Sequence, residues 1–85
     1  MKKLVEEVSG ESLESLLGEV VEVLCYRYIY HGKLAGVNEK DILITDASVV
    51  FNTGPYDKKD YDDIQKLGRD LYVRTAAIES YSVAK

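Results

Sequence analysis

The chain has 85 residues, with eleven Lys and Arg against fifteen Asp and Glu, one His and one Cys, for a formal net charge of −4. That length allows a single domain, 1–85, whose own core is marginal, because a chain so short buries only about two thirds of its unfolded surface. The lone Cys25 excludes an intrachain disulfide, no apolar run approaches the ~20 residues of a membrane span, and the charge is wrong for a generic phosphate-binding surface.

The negative charge is concentrated at one end. Residues 1–22 hold two Lys and six Glu, a sum of −4, and residues 23–85 hold the other nine basic and nine acidic residues, a sum of zero. Lys2 and Lys3 are followed by Glu6 and Glu7, which interrupt any apolar stretch, so a signal peptide is not expected. With one cysteine, this points to a reducing, cytoplasmic setting. Residues 1–10 are ambiguous and read as flexible. Ser9 to Gly18 reads as a short helix, with Ser9 as N-cap, Glu11 and Glu14 near its positive end, Gly18 at C′, and Leu13, Leu16 and Leu17 as one apolar stripe.

Glu19 to Tyr30 is rich in Val, Tyr and Ile, which suits strands, but twelve residues is long for one. A bend or hairpin is expected near Cys25–Arg27, without the usual turn residues. The strand resumes to Val37, and Val37–Lys40 is the next turn, with Asn38 able to take a left-handed conformation. Asp41 to Phe51 is another strand, ended by Asn52-Thr53-Gly54-Pro55. Asp60 to Gly68 reads as a two-turn helix, because Tyr61, Ile64 and Leu67 recur every three residues between a capping Asp60 and a terminating Gly68. Asp70 to Arg74 is a strand, Thr75–Ala77 a tight turn and Ile78 to Val83 a last strand. The sum is a mostly β domain, a small barrel or an open sheet of about five strands with one helical insertion.

Several residues here carry a resemblance. Tyr30, Gly32 and Leu34, followed by Asn38, Ile42-Leu43-Ile44 and Asp46-Ala47, resemble the first motif of Sm and Sm-like (LSm, Hfq-type) proteins. Val73-Arg74-Thr75-Ala76-Ala77-Ile78 resembles their second motif, and Ser12 to Val21 the helix and first strand before them. The likeness spans roughly residues 12–83 and is nearest to a divergent group of Sm-like proteins from phages and marine bacteria; residues 55–68 fall in the family's variable loop. It implies a five-stranded, strongly bent open barrel with an N-terminal helix, here with a short helical insertion at about 60–67. It also implies a homo-oligomeric ring, non-catalytic and needing no cofactor, in which edges at about 70–74 and 78–83 pair between subunits. Edge physics argues the same way, since a marginal core with two free strand edges is relieved by pairing them.

In that family a base is held at the inner rim of the ring by a stacking residue, an amide and an arginine. Position by position, the resemblance puts Asn38 where the family has Asp, Lys40 at the stacker and Ile42 at the edge-reading Asn. It keeps Arg74, and puts Thr75 and Ala76 at the following Gly-Asp. Asn38, Lys40, Ile42, Arg74 and Thr75 are therefore the candidate nucleic-acid-binding set, for RNA or single-stranded DNA. The competing assignment has Arg74 paired with Asp41 or Asp46 to brace the barrel. A further alternative is a ring-forming scaffold that binds a protein partner through the acidic N-terminal helix and the 55–68 insertion.

Other residue types point elsewhere only faintly. Tyr28 and Tyr30 are expected to pack, and Tyr26 and Arg27 to be exposed at the bend. One His31 and one Cys25 cannot assemble a zinc set within one chain, and Cys25 reads as a small buried apolar residue. Asp57, Asp60, Asp62 and Asp63 lack the spacing of a calcium loop, and no P-loop, dinucleotide or nucleophile-elbow pattern occurs, so an enzyme is not expected.

Overall fold

The computed structural model describes residues 12–85. Six antiparallel strands form one open sheet: β1 (Val20–Cys25), β2 (Ile29–Val37), β3 (Asp41–Asn52), β4 (Asp63–Lys66), β5 (Leu71–Arg74) and β6 (Ile78–Val83). Their spatial order is β4-β3-β2-β1-β6, with β5 also pairing β3. The mostly β, open character expected from the sequence is present. The strand count is six rather than five because β3 is long enough to carry two partners. Its first half pairs β5, with Asp41 opposite Arg74 and Ile44 opposite Leu71, and its second half pairs β4, with Ser48 opposite Lys66 and Val50 opposite Ile64. Gly68, at φ +68°, turns the chain between the two.

Two expected helices are corrected. Within the described residues the N-terminal helix is a five-residue 3-10 turn, Ser12–Leu16, which still places Leu13 and Leu16 against the core. Residues 1–11, including the expected N-cap Ser9 and the ambiguous segment 1–10, lie outside the described residues. The helix at about 60–67 is instead strand β4 and its approach. A two-turn helix is marginal on its own, and the three-residue spacing of Tyr61, Ile64 and Leu67 serves three different contacts. Tyr61 bonds Glu22, Ile64 pairs with Val50, and Leu67 packs on the core.

The β1–β2 hairpin turns at Tyr26–Tyr28, where the sequence placed a bend, and closes with the Cys25 N–H donating to the Tyr28 carbonyl at 2.9 Å. At the β2–β3 turn Asn38 does not adopt the left-handed conformation. Its Oδ1 accepts from the N–H groups of Lys40 (2.8 Å) and Asp41 (2.9 Å), so the side chain closes the turn instead. The left-handed residue lies within β3 at Asp46, φ +52°, where the register against β2 slips between His31 and Lys33. Such a bulge sharpens the bend of the sheet. Gly32 lies under it, and a Cβ there would stand 2.3 Å from Ile44 Cγ2 and 2.8 Å from the Thr45 carbonyl oxygen.

One face of the sheet carries the core. Val21, Val23, Leu34, Ile42 and Ile44 are fully buried, joined by Cys25, Ala47 and Val73, with Tyr30, Leu71 and Ile78 at the margin. Each fully buried aliphatic side chain stabilises the fold by roughly 1.5–3 kcal/mol relative to exposure.

Candidate functional site

Four of the five candidate residues meet where the β2–β3 turn reaches the end of β5. The Thr75 N–H donates to the Lys40 carbonyl at 2.9 Å, and its Oγ1 donates to the carbonyls of Glu39 (2.7 Å) and Lys40 (3.2 Å). Thr75 is thus a fastener, binding the strand end to a turn that Asn38 shapes from within. The side chains that remain open border a shallow cleft of about 420 Å³ between Glu39, Lys40, Asp41, Arg74, Thr75 and Ala76. Two cations and two carboxylates leave its formal charge at zero. Ile42, the fifth candidate, is fully buried in the core and faces away from this cleft. An apolar residue at that position of β3 joins the core and leaves no group to read a base edge.

The bracing ion pair expected for Arg74 does not form: among the described residues the ion pair is Lys58–Asp62, at 2.9 Å. Asp41 is the cross-strand neighbour of Arg74, and the Asp46 N–H donates to Asp70 Oδ1 at 3.3 Å.

Arg74 also borders a second, larger cleft of about 460 Å³ that runs from the β1–β2 turn along β5. Tyr26, Arg27, Tyr28, Tyr30 and Tyr72 line it with Arg74. Tyr26 and Tyr72 are the most open of these, at 84% and 71% exposed. Tyr28 is half-exposed, 6.1 Å from the Tyr30 ring and 6.4 Å from Phe51. Tyr30 packs on the core as expected, whereas Tyr28 lies outside the core cluster and meets only the Tyr30 and Phe51 rings. Cys25, at the cleft floor, is buried, and desolvation followed by the Glu79 charge raises its thiol pKa, which keeps it protonated and unreactive.

A third cluster, on the face of β1 opposite the core, was not foreseen from sequence. Glu22 of β1 is 6% exposed, and its carboxylate accepts from the Tyr56 hydroxyl (3.1 Å), the Tyr61 hydroxyl (2.6 Å) and the Lys85 backbone N–H (3.1 Å). The Lys85 ammonium caps the Thr53 and Pro55 carbonyls and lies 4.9 Å from the Tyr61 ring centroid and 5.2 Å from that of Tyr56. His31, opposite Glu22 on β2, meets the edge of Tyr61 at 5.2 Å; burial lowers its pKa, against the opposing pull of Glu22 and Asp46. Burial, then the Glu22 carboxylate, raises both phenols. The cluster fastens the 53–62 segment across β1. Its one sequence signal is Glu22 itself, an acid between Val21 and Val23 in a strand, and nothing marks what covers it.

No protein-family model matches this chain, and no curated protein matches it either.

Proposed function

We propose that this protein is a non-catalytic, Sm-like domain that assembles head to tail into a homo-oligomeric ring and binds RNA or single-stranded nucleic acid weakly at a Lys40–Arg74 rim. The observation that carries the reading is the pair of sheet edges left unpaired among the described residues, β4 with β5 on one side and β6 on the other. Open backbone edges on a small domain with exposed Tyr72, Tyr81 and Val83 beside them call for a partner strand. Because the two edges differ, joining one to the other repeats head to tail, and a rotation that divides the full turn closes the repeat into a ring. Further support is the order of the parts: a twelve-residue β3 that serves two partners, β4 and β5, then a 3-10 turn at Thr75–Ala77, and the last strand returning to β1.

Lys40 and Arg74 supply the cationic contacts of the rim, while Thr75 and Asn38 hold the backbone that presents them. Glu39 and Asp41 offset that charge, so binding is weak and falls steeply with salt. The same neutrality favours the second reading, a ring scaffold for a protein partner. A titration against short single-stranded oligonucleotides at low and moderate salt separates the two. Binding at low salt that Arg74→Ala abolishes supports the rim, and no binding even at low salt leaves the scaffold.

A further inference from the structure

Among the described residues, Lys85 is the cation that lies over aromatic rings. Its ammonium is 4.9 Å from the Tyr61 ring centroid and 5.2 Å from that of Tyr56. Both distances fall within the ~6 Å over which a ring face attracts a cation. The same ammonium donates to the carbonyl oxygens of Thr53 and Pro55, the latter at 3.0 Å. It makes no ion pair, since the ion pair among the described residues is Lys58–Asp62. A primary ammonium carries a compact charge and three N–H donors. Two ring faces answer the charge and two carbonyls answer the donors.

The walls of this cage are set by contacts that do not involve the Lys85 side chain. Glu22, 6% exposed, accepts from both phenol hydroxyls and so fixes both rings. His31 packs edge-on against Tyr61 at 5.2 Å. The two carbonyls flank Gly54, which takes φ +66° and donates its N–H to Asn52 Oδ1 at 3.0 Å. The occupant is tied down differently. Lys85 lies two residues beyond β6, and its main-chain N–H, not its ammonium, bonds Glu22 at 3.1 Å. The ammonium rides on a flexible four-carbon stem and can leave without breaking a strand.

We infer that the Tyr56–Tyr61 cage is a binding site for a primary alkylammonium group, from a free amine or a lysine side chain, and that Lys85 occupies it as an internal competitor. The site lies on the face of β1 opposite the core and is independent of the Lys40–Arg74 rim and of edge pairing. An incoming ammonium takes over the two carbonyls and the two ring faces as Lys85 releases them. The exchange is therefore near balance in contacts, and ligand concentration against the effective concentration of the tethered Lys85 decides occupancy. Because the rings and carbonyls are already in place, little ordering opposes the incoming group.

Lys85→Ala empties the cage and keeps the main-chain bond to Glu22. The amide shifts of Gly54 and Tyr56 in proton–nitrogen correlation spectra, titrated with n-butylammonium chloride at constant ionic strength, read the binding. Lys85→Ala should give a saturable shift in the millimolar range, and the wild type one weaker by about tenfold or more, because the tethered ammonium competes. Tetramethylammonium has the charge but no N–H, and should bind Lys85→Ala about tenfold more weakly than n-butylammonium. Tyr56→Leu in the Lys85→Ala background removes a ring that is 64% exposed, and should weaken binding several-fold at unchanged far-UV circular dichroism. N-acetyl-lysine amide, with its side-chain ammonium free, separates the sources. Affinity equal to that of n-butylammonium supports a lysine side chain, and much weaker affinity supports a free amine. A folded Lys85→Ala without a saturable shift for either probe would overturn the inference. So would tetramethylammonium bound as tightly as n-butylammonium, or a wild type that binds as well as Lys85→Ala.

Discussion

Truncation of Glu22 to Ala removes the acceptor that holds the 53–62 segment to β1. The carboxylate is 6% exposed and takes three donors, from Tyr61, Tyr56 and the Lys85 N–H. A hydrogen bond to a charged group contributes about 1.5–3 kcal/mol, and stranding a buried donor costs about 1–3 kcal/mol. Tyr56 is largely exposed and its hydroxyl can return to water, so the loss centres on the short Tyr61 bond and on Lys85. The sum expected for Glu22→Ala is about 2–4 kcal/mol, a large share of the roughly 4–13 kcal/mol available to a domain of this length. Urea denaturation followed by far-UV circular dichroism, at fixed protein concentration, reads it as a lower midpoint at unchanged slope. The double-mutant cycle with Tyr61→Phe should show a coupling of about 1–3 kcal/mol, because each substitution removes the same bond. A Glu22→Ala cost under about 0.5 kcal/mol, the level of an ordinary surface change, or a cycle that is additive, would refute the fastening role.

Four other outcomes follow from particular contacts. The thiol of Cys25 and the phenols of Tyr30, Tyr56 and Tyr61 are raised from ordinary values of 9.0 and 10.0, so the folded state holds these protons more tightly than the unfolded chain. That stabilisation is complete below the unfolded values and is lost as pH climbs through 9 and 10. Tyr56→Phe with Tyr61→Phe should flatten the alkaline limb of a pH–stability profile. His31 acts in the other sense: lowered from 6.5, it withdraws stability as pH falls below that value, and His31→Gln should flatten the acid limb near it. Gly32→Ala puts a methyl 2.3 Å from Ile44 Cγ2 and against the Thr45 carbonyl, and should destabilise by about 1–3 kcal/mol or more, measured by thermal melting. Thr75→Val keeps the shape but removes the donor to the Glu39 and Lys40 carbonyls; a loss of about 1 kcal/mol and faster amide exchange at Glu39–Asp41 are expected, by melting and hydrogen exchange.

The strands were legible where local pattern and burial agree. The Val, Tyr and Ile content of 19–30 and the apolar run of 41–51 marked β1 to β3, and in the structure Val21, Val23 and Cys25 on β1 and Ile42 and Ile44 on β3 turn to the core. The segment 60–67 misled because Tyr61, Ile64 and Leu67 mimic one helical stripe, whereas each is drawn to a separate tertiary contact. Pairing with the free half of β3 overrode the local preference. Of the N-terminal stripe Leu13, Leu16 and Leu17, the first two pack on the core while Leu17 is 48% exposed, because the backbone winds as a 3-10 turn and not as an α-helix.

The candidate rim was partly legible. Sequence order brought Lys40, Arg74 and Thr75 to one place, but which groups stay free depends on hydrogen bonds between residues more than thirty positions apart. The same holds for Glu22, whose donors come from positions 56, 61 and 85. Ile42 shows the limit of a position-by-position transfer: the strand parity that makes it core also removes it from any ligand.

Molar mass by light scattering behind size exclusion, from dilute to concentrated protein and confirmed by native mass spectrometry, tests the central claim most directly. Edge pairing predicts one discrete closed homo-oligomer, several times the 9.6 kDa chain. A 9.6 kDa monomer at every concentration would contradict it.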